Sequence, residues 1–146
     1  MVEIHIVYLK SDEPEFLVLT RSETEIFPGI KQPITGSIKN GEKAYETAIR
    51  EVKEETGIEV NEFYSVPIVN SFYSASSDCL ILIPVFAVVV KSKNVVLSEE
   101  HSAYQWLTLE EAQKCFAWDG QRRAAALLHE YFTKKDSSLL MNQIKF

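Results

Sequence analysis

Residues 80–90 read LILIPVFAVVV, a stretch without one charge or side-chain hydrogen-bonding group. The run is far shorter than the roughly 20 apolar residues that cross a bilayer as a helix. Its β-branched and aromatic content points to a strand, and a strand with no polar alternation offers no face to water. The run therefore predicts a central strand covered on both faces. Pro84 has no N–H for a ladder, so a bulge or an edge-facing position is expected there.

Partners for that strand can be read on either side of it. Val2, Ile4, Ile6 and Tyr8 alternate with the two-residue period of a strand, Ser11-Asp12-Glu13-Pro14 interrupts them, and residues 16–21 resume, which reads as a hairpin. Phe27-Pro28-Gly29 is turn chemistry, after which Pro33-Ile34-Thr35 leads into Gly36. Residues 63–73 should pair with 80–90 around the polar segment 74–78, with a short strand at 95–97. A polar loop from Ser98 then enters an apolar strand ending at Leu107. Thr108 follows as an N-cap with Glu110 and Glu111 in the first helical turn. A last helix is expected over 119–132, with Ala124, Leu127, Leu128 and Tyr131 at helical spacing. The tail, 134–146, is polar and then apolar, and a docked arm and disorder fit it equally. Together these elements make an α/β pattern, one option among several.

A chain of 146 residues with 46% hydrophobic content is the size of one domain with a real core, so 1–146 is read as a single unit. A formal charge of −6 argues against duplex nucleic acid as a partner, because binding by counterion release needs a basic surface. An N-terminal basic-then-apolar segment is missing, and no apolar run approaches twenty residues, so neither secretion nor membrane spanning is expected. Cys79 and Cys115 stand far apart and fit no metal or redox spacing, which reads as reduced thiols of a cytoplasmic protein.

The chemistry concentrates in residues 36–58, GSIKNGEKAYETAIREVKEETGI. A helix is expected over 43–56, ended by Gly57 as a left-handed cap. Tyr45, Ala48, Ile49 and Val52 fall at i, i+3, i+4 and i+7 and form its core stripe. On the neighbouring face Glu51, Glu54 and Glu55 stand at i, i+3 and i+4, so three carboxylates are brought together and repel. Arg50 reaches Glu54 across one turn, yet the cluster stays net negative and wants a cation. Hard oxygen donors select Mg²⁺ or Mn²⁺ over zinc. The plainer alternative is a solvated acidic helix face.

The spacing decides between them: Gly36, five residues, Glu42, seven residues, Arg50-Glu51-Val52, one residue, Glu54-Glu55, one residue, Gly57-Ile58. In this pattern the chain resembles a Nudix hydrolase, a family that cleaves nucleoside diphosphates linked to a further group with divalent metal held by these glutamates. The resemblance implies the Nudix fold, an α/β/α sandwich with a mixed β-sheet. It implies Glu51, Glu54 and Glu55 as metal ligands with the Gly36 carbonyl, and Arg50 as the group that orients them. Glu42 takes a supporting role or serves as a helix N-terminal acid. Glu100 stands six residues before Trp106, where many relatives carry a further glutamate, and is assigned as additional ligand or general base; a surface loop acid is the alternative. The expected catalytic set is thus Glu54, Glu55, Arg50 and Glu100.

The phrases ITGSIKNGE, EHSAYQWL and WDGQR are most similar to the bacterial subgroup that converts dATP and dihydroneopterin triphosphate to the monophosphate and pyrophosphate. Lys31-Gln32 departs from the aromatic residue expected just before the box. The resemblance thus implies Mg²⁺-dependent hydrolysis of a nucleoside or pterin triphosphate by a monomer or homodimer. Cleavage of dinucleoside polyphosphates or ADP-ribose is the alternative within the family, and a nucleotide-sensing domain without turnover is the alternative of another class. Loss of a box glutamate would favour the sensor, and all are present. Lys31, Tyr104, Trp118 and Arg122 are the substrate-binding candidates, with Arg21 and Tyr73 behind them; for each, core packing or surface solvation is the plainer reading. His101, beside Glu100, is weighed as a substrate contact, whereas His5 and His129 read as packing or surface.

Overall fold

Alternating β-branched residues build the first strand, β1 (Val2–Tyr8), whose even-numbered side chains Val2, Ile4 and Ile6 enter one core while Val7 enters another. The computed structural model describes residues 1–10, 12–134 and 142–146. After β1 come β2 (Glu15–Arg21), β3 (Lys31–Gln32), β4 (Ile34–Gly36), α1 (Ala44–Thr56), β5 (Glu62–Ser74), β6 (Cys79–Val90), β7 (His101–Leu107), α2 (Leu109–Cys115), α3 (Asp119–Thr133) and β8 (Asn142–Gln143). The sheet runs β3-β2-β1-β6-β5-β8, with β4 also on β1 and β7 also on β2. β1 and β6 are parallel and the remaining pairs antiparallel, so the sheet is mixed.

Strand alternation divides the interior into two cores. Val2, Ile4, Leu17, Leu19, Phe63, Phe86 and Val88 meet Ala48 and Val52 of α1. Val7, Phe16, Val18, Val85 and Ala87 meet Ala112 of α2 and Ala124, Ala125 and Leu128 of α3. This is the expected α/β/α sandwich. The α1 stripe is as expected, with Ala48 and Val52 fully buried and Tyr45 and Ile49 packed at its margin. Gly57 closes the helix at φ 68°, a left-handed conformation in which its N–H reaches the Lys53 carbonyl at 2.9 Å. Thr108 caps α2 reciprocally with Glu111.

Four expectations need amendment. The run 80–90 lies between β1 and β5, but only its second half is enclosed: Val85 to Val90 are buried, while Leu80 and Leu82 stand in the open because β1 pairs with β6 only from Val85 onward. The bulge expected at Pro84 is present, but the unpaired residues are Pro67 and Ile68 of β5, between Val66 and Val69. Residues 95–97 form no strand; they lie against the end of α1, where Val96 N–H donates to the Thr56 carbonyl and Ser98 N–H to that of Glu55. Part of the tail is docked: β8 pairs with β5, Ile144 N–H donates to the Phe63 carbonyl, and Phe146 packs edge-on against the Phe63 ring. Residues 135–141 of the tail lie outside the described residues.

Phe63 is fully buried and stacks on Phe86 at 5.3 Å. Phe63→Ala should destabilise the chain by about 3–5 kcal/mol. Chemical denaturation reads this directly, and a loss below about 1 kcal/mol would show that this packing is not part of the core.

Candidate active site

The site begins with a glycine. β4 ends at Gly36, opposite Val2, and a Cβ on Gly36 would overlap the Glu51 side chain, so the strand and α1 can approach only there without a side chain. The following loop carries Glu42, which lies outside the helix. Its two carboxylate oxygens accept from Arg50 Nε at 2.8 Å and Nη2 at 3.0 Å, a paired fork. Arg50 Nη1 donates to Glu51 at 2.8 Å and to Glu54 at 2.9 Å, and Nη2 also reaches the Ser37 carbonyl at 3.2 Å. One guanidinium thus joins loop, helix and three carboxylates. Arg50, then Thr47, hold the Glu42 carboxyl down to about 2. Of the two readings of Glu42, the Arg50 partner describes its contacts, and Glu46 is the acid in the first turn.

Glu55 is placed differently. It is 3% exposed, and its Oε2 has no hydrogen-bond partner among the described residues. Burial pushes its carboxyl up to about 9, with the Glu51 and Glu100 charges adding to the rise. His101 Nδ1 lies 3.6 Å away, equally buried; burial, then Arg21, push the imidazole down to about 4. Near pH 7 the two therefore face each other uncharged rather than as an ion pair. Burial also raises Glu51. Glu54 is the exposed member of the set, its side chain 55% accessible.

A cleft of about 400 Å³ opens here, lined by Arg21, Ile26, Thr35, Gly36, Ser37, Glu51 and Glu100, with Met1 at its edge. Glu100 thus reaches the site from the loop before β7. Arg21 is the cation of the cleft wall, held by Glu25 at 3.0 Å and by the Ile26 carbonyl at 2.8 Å. A larger hollow of about 680 Å³ between Ile58, Val90 and Gln143 contains none of these residues. Among the described residues no three His, Cys, Asp or Glu side chains are gathered to hold a metal as they stand. The donor set nevertheless fits a hard divalent cation: it is all oxygen, Glu55 presents a buried oxygen without a partner, and glycine leaves the room.

None of Lys31, Tyr104, Trp118 and Arg122 lines this cleft. Lys31 donates to Gln105 at 3.1 Å, and its carbonyl accepts from Ala117, which brings β3 beside the α2–α3 connection. Trp118, 46% exposed, meets the Phe27 ring edge-on there. Arg122 is tied to the carbonyls of Phe116 at 2.7 Å and Ala117 at 3.4 Å. Tyr104 pairs with Leu19, whose side chain belongs to the α1-side core, so it stands on the opposite face of the sheet from that group. Tyr73 lies at the far end of β5, engaged with Asp78. Of the histidines, His101 backs Glu55 and is too buried to meet solvent, His5 is buried beside Glu3, and His129 contacts Glu13 at the surface. Ile26 and Thr35 of the cleft wall carry no chemical signal in the sequence; only the chain path brings them in.

The family model described as the NUDIX domain matches residues 2–130. The chain belongs to the Nudix family. It is 41% identical over 107 residues to the bis(5'-nucleosyl)-tetraphosphatase [asymmetrical] of Mus musculus, covering 67% of each chain. Its fold is similar to a NUDIX hydrolase of Listeria monocytogenes, with TM-score 0.80 and 26% identity over 92% of this chain and 94% of that one. It is also similar to the dihydroneopterin triphosphate pyrophosphohydrolase of E. coli, with TM-score 0.73 and 25% identity over 88% and 94%. The chain is therefore a Nudix enzyme with the Nudix fold, and enzymes of this family generally use divalent metals such as Mg²⁺.

The buried acid makes stability depend on pH. Between pH 6.5 and about 9 the folded chain keeps on Glu55 a proton that the unfolded chain has released, so stability falls as pH rises. His101 acts in the opposite sense, since only the unfolded chain protonates it, but that contribution is complete above its ordinary 6.5. Metal-free protein should therefore melt progressively lower from pH 6.5 to 9 in differential scanning fluorimetry, and Glu55→Gln should remove most of the slope. A rising melting temperature over this window would contradict the protonated Glu55.

Proposed function

We propose that the chain hydrolyses a phosphoanhydride bond of a nucleoside-linked polyphosphate, with Glu51, Glu54, Glu55 and the Gly36 carbonyl holding Mg²⁺ or Mn²⁺ and Glu100 serving as the base. The observation that carries this reading is the Arg50 clamp. It fixes Glu42, Glu51 and Glu54 beside a glycine while Glu55 presents an unpartnered oxygen beneath them. A bound divalent cation would offset phosphate charge and lower the pKa of the attacking water. Arg50 keeps the carboxylates oriented without touching substrate. Arg21, at the cleft wall, faces a phosphate oxygen. Glu100, arriving from the loop before β7, takes the proton from water as it attacks phosphorus.

For the substrate, 41% identity to the mouse enzyme favours a dinucleoside tetraphosphate, cleaved asymmetrically. The second reading is a nucleoside or pterin triphosphate such as dATP or dihydroneopterin triphosphate, cleaved to monophosphate and pyrophosphate; similarity to the E. coli enzyme supports it. Either substrate is an anion that would arrive on metal at an acidic chain, and the free thiols Cys79 and Cys115 suit a reducing cytoplasm.

Diadenosine tetraphosphate should be turned over with kcat/KM roughly 10-fold or more above dATP and dihydroneopterin triphosphate. Release of monophosphate and triphosphate from it supports the first reading, while pyrophosphate as the dominant product from the triphosphates moves the second ahead. EDTA should abolish turnover, and Mg²⁺ or Mn²⁺ should restore it; full activity after chelation would sink the metal assignment. Glu100→Gln should lower kcat about 10²-fold with KM little changed. Near-normal turnover would remove Glu100 from the role of base.

A further inference from the structure

The distal halves of β5 and β6 form a two-stranded arm that leaves the body of the sheet. β6 pairs with β1 only from Val85, opposite Glu3, and β5 pairs with β8 only at Tyr64 and Ser65. Beyond those points, from Val69↔Pro84 to Ser74↔Cys79, the ribbon has no other strand partner among the described residues. Since Gly36 pairs with Val2 at the start of β1, the arm projects from the end of the sheet that holds the cleft.

The register sorts its side chains onto two faces. Asn70, Phe72, Ile81 and Ile83 share one, where Asn70 donates to Glu3 and Ile83 is buried. Val69, Tyr73, Leu80 and Leu82 share the other, and they are 60%, 63%, 64% and 60% exposed. A monomer would expose on this second face on the order of 400 Å² of apolar surface, within the range of the largest patch on a typical soluble protein, which is often a functional one. Soluble proteins protect open strand edges with charge. Here Asp78 is the single charged residue between Glu62 and Lys91, and the Tyr73 hydroxyl engages it at 2.8 Å.

We propose that this face of the β5–β6 arm is the contact surface between two copies of the chain, joined about a two-fold axis. The absence of available charge gives a basic or acidic partner nothing to recognise. A second copy is complementary by construction, because an uncharged apolar ribbon meets its own equivalent in an isologous contact. Two chains that each carry a formal charge of −6 also repel least through the segment that holds almost none of it.

Sedimentation equilibrium of the full chain at micromolar concentration should give twice the 16.7 kDa chain mass. Combined Leu80→Glu and Leu82→Glu should return the mass to that of one chain, raising the dimer dissociation constant about 100-fold or more. Combined Val69→Ser and Tyr73→Ser introduces no charge and should weaken the dimer in the same direction, so the result does not hang on one variant. Val96→Glu, at an exposed apolar residue away from the arm, should leave the dimer intact. A monomeric wild type, a dimer that survives both arm variants, or equal loss in Val96→Glu would each overturn the proposal.

Discussion

One guanidinium holds the candidate site together. Three carboxylates on or beside a short stretch of α1 would splay apart by repulsion, and helix geometry alone offers nothing to stop them. Arg50 spends its donors on Glu42, Glu51, Glu54 and the Ser37 carbonyl. Because Glu42 and Ser37 belong to the loop, the same contacts fasten that loop to the helix and keep Gly36 against Glu51. A lysine would carry the same charge without the planar fork that engages both Glu42 oxygens at once.

The clamp leaves Glu55 outside its reach, and that division has a physical consequence. Glu51 and Glu54 keep a cationic neighbour, whereas Glu55 faces a neutral His101 in a buried site and holds its proton without a cation. The site thus combines oriented acids with one buried, unsatisfied oxygen, a polar group whose burial is unfavourable until something binds. Such a local conflict is common where a chain is shaped for a ligand rather than for stability.

The arm follows from a different imbalance. Residues 80–90 are apolar throughout, but only Ile83 and Val85 to Val90 are buried. What periodicity reads as one buried strand is part core and part exposed ribbon, and the scarcity of charge between Glu62 and Lys91, where Asp78 stands alone, extends that property to β5.

The sequence by itself determined the elements and the acids. Gly36, Glu42, Arg50, Glu51, Glu54 and Glu55 stand at spacings set by one loop and one helix, so their proximity is local and legible from the order of residues. Gly57 as a left-handed cap, Thr108 as an N-cap and the two faces of β1 were equally local. Only the tertiary structure decided which distant side chains join them. Arg21 lines the cleft beside Glu100, which its place six residues before Trp106 had already marked, because β7 adds to β2 there, while Tyr104 falls on the other face of the sheet from Trp118 and Lys31. The reason is that strand pairing is non-local: a side chain's face depends on register with a partner far away in the chain, and one position of shift reverses it. The same holds for Leu80 and Leu82, whose exposure depends on where β1 begins rather than on anything in their own composition.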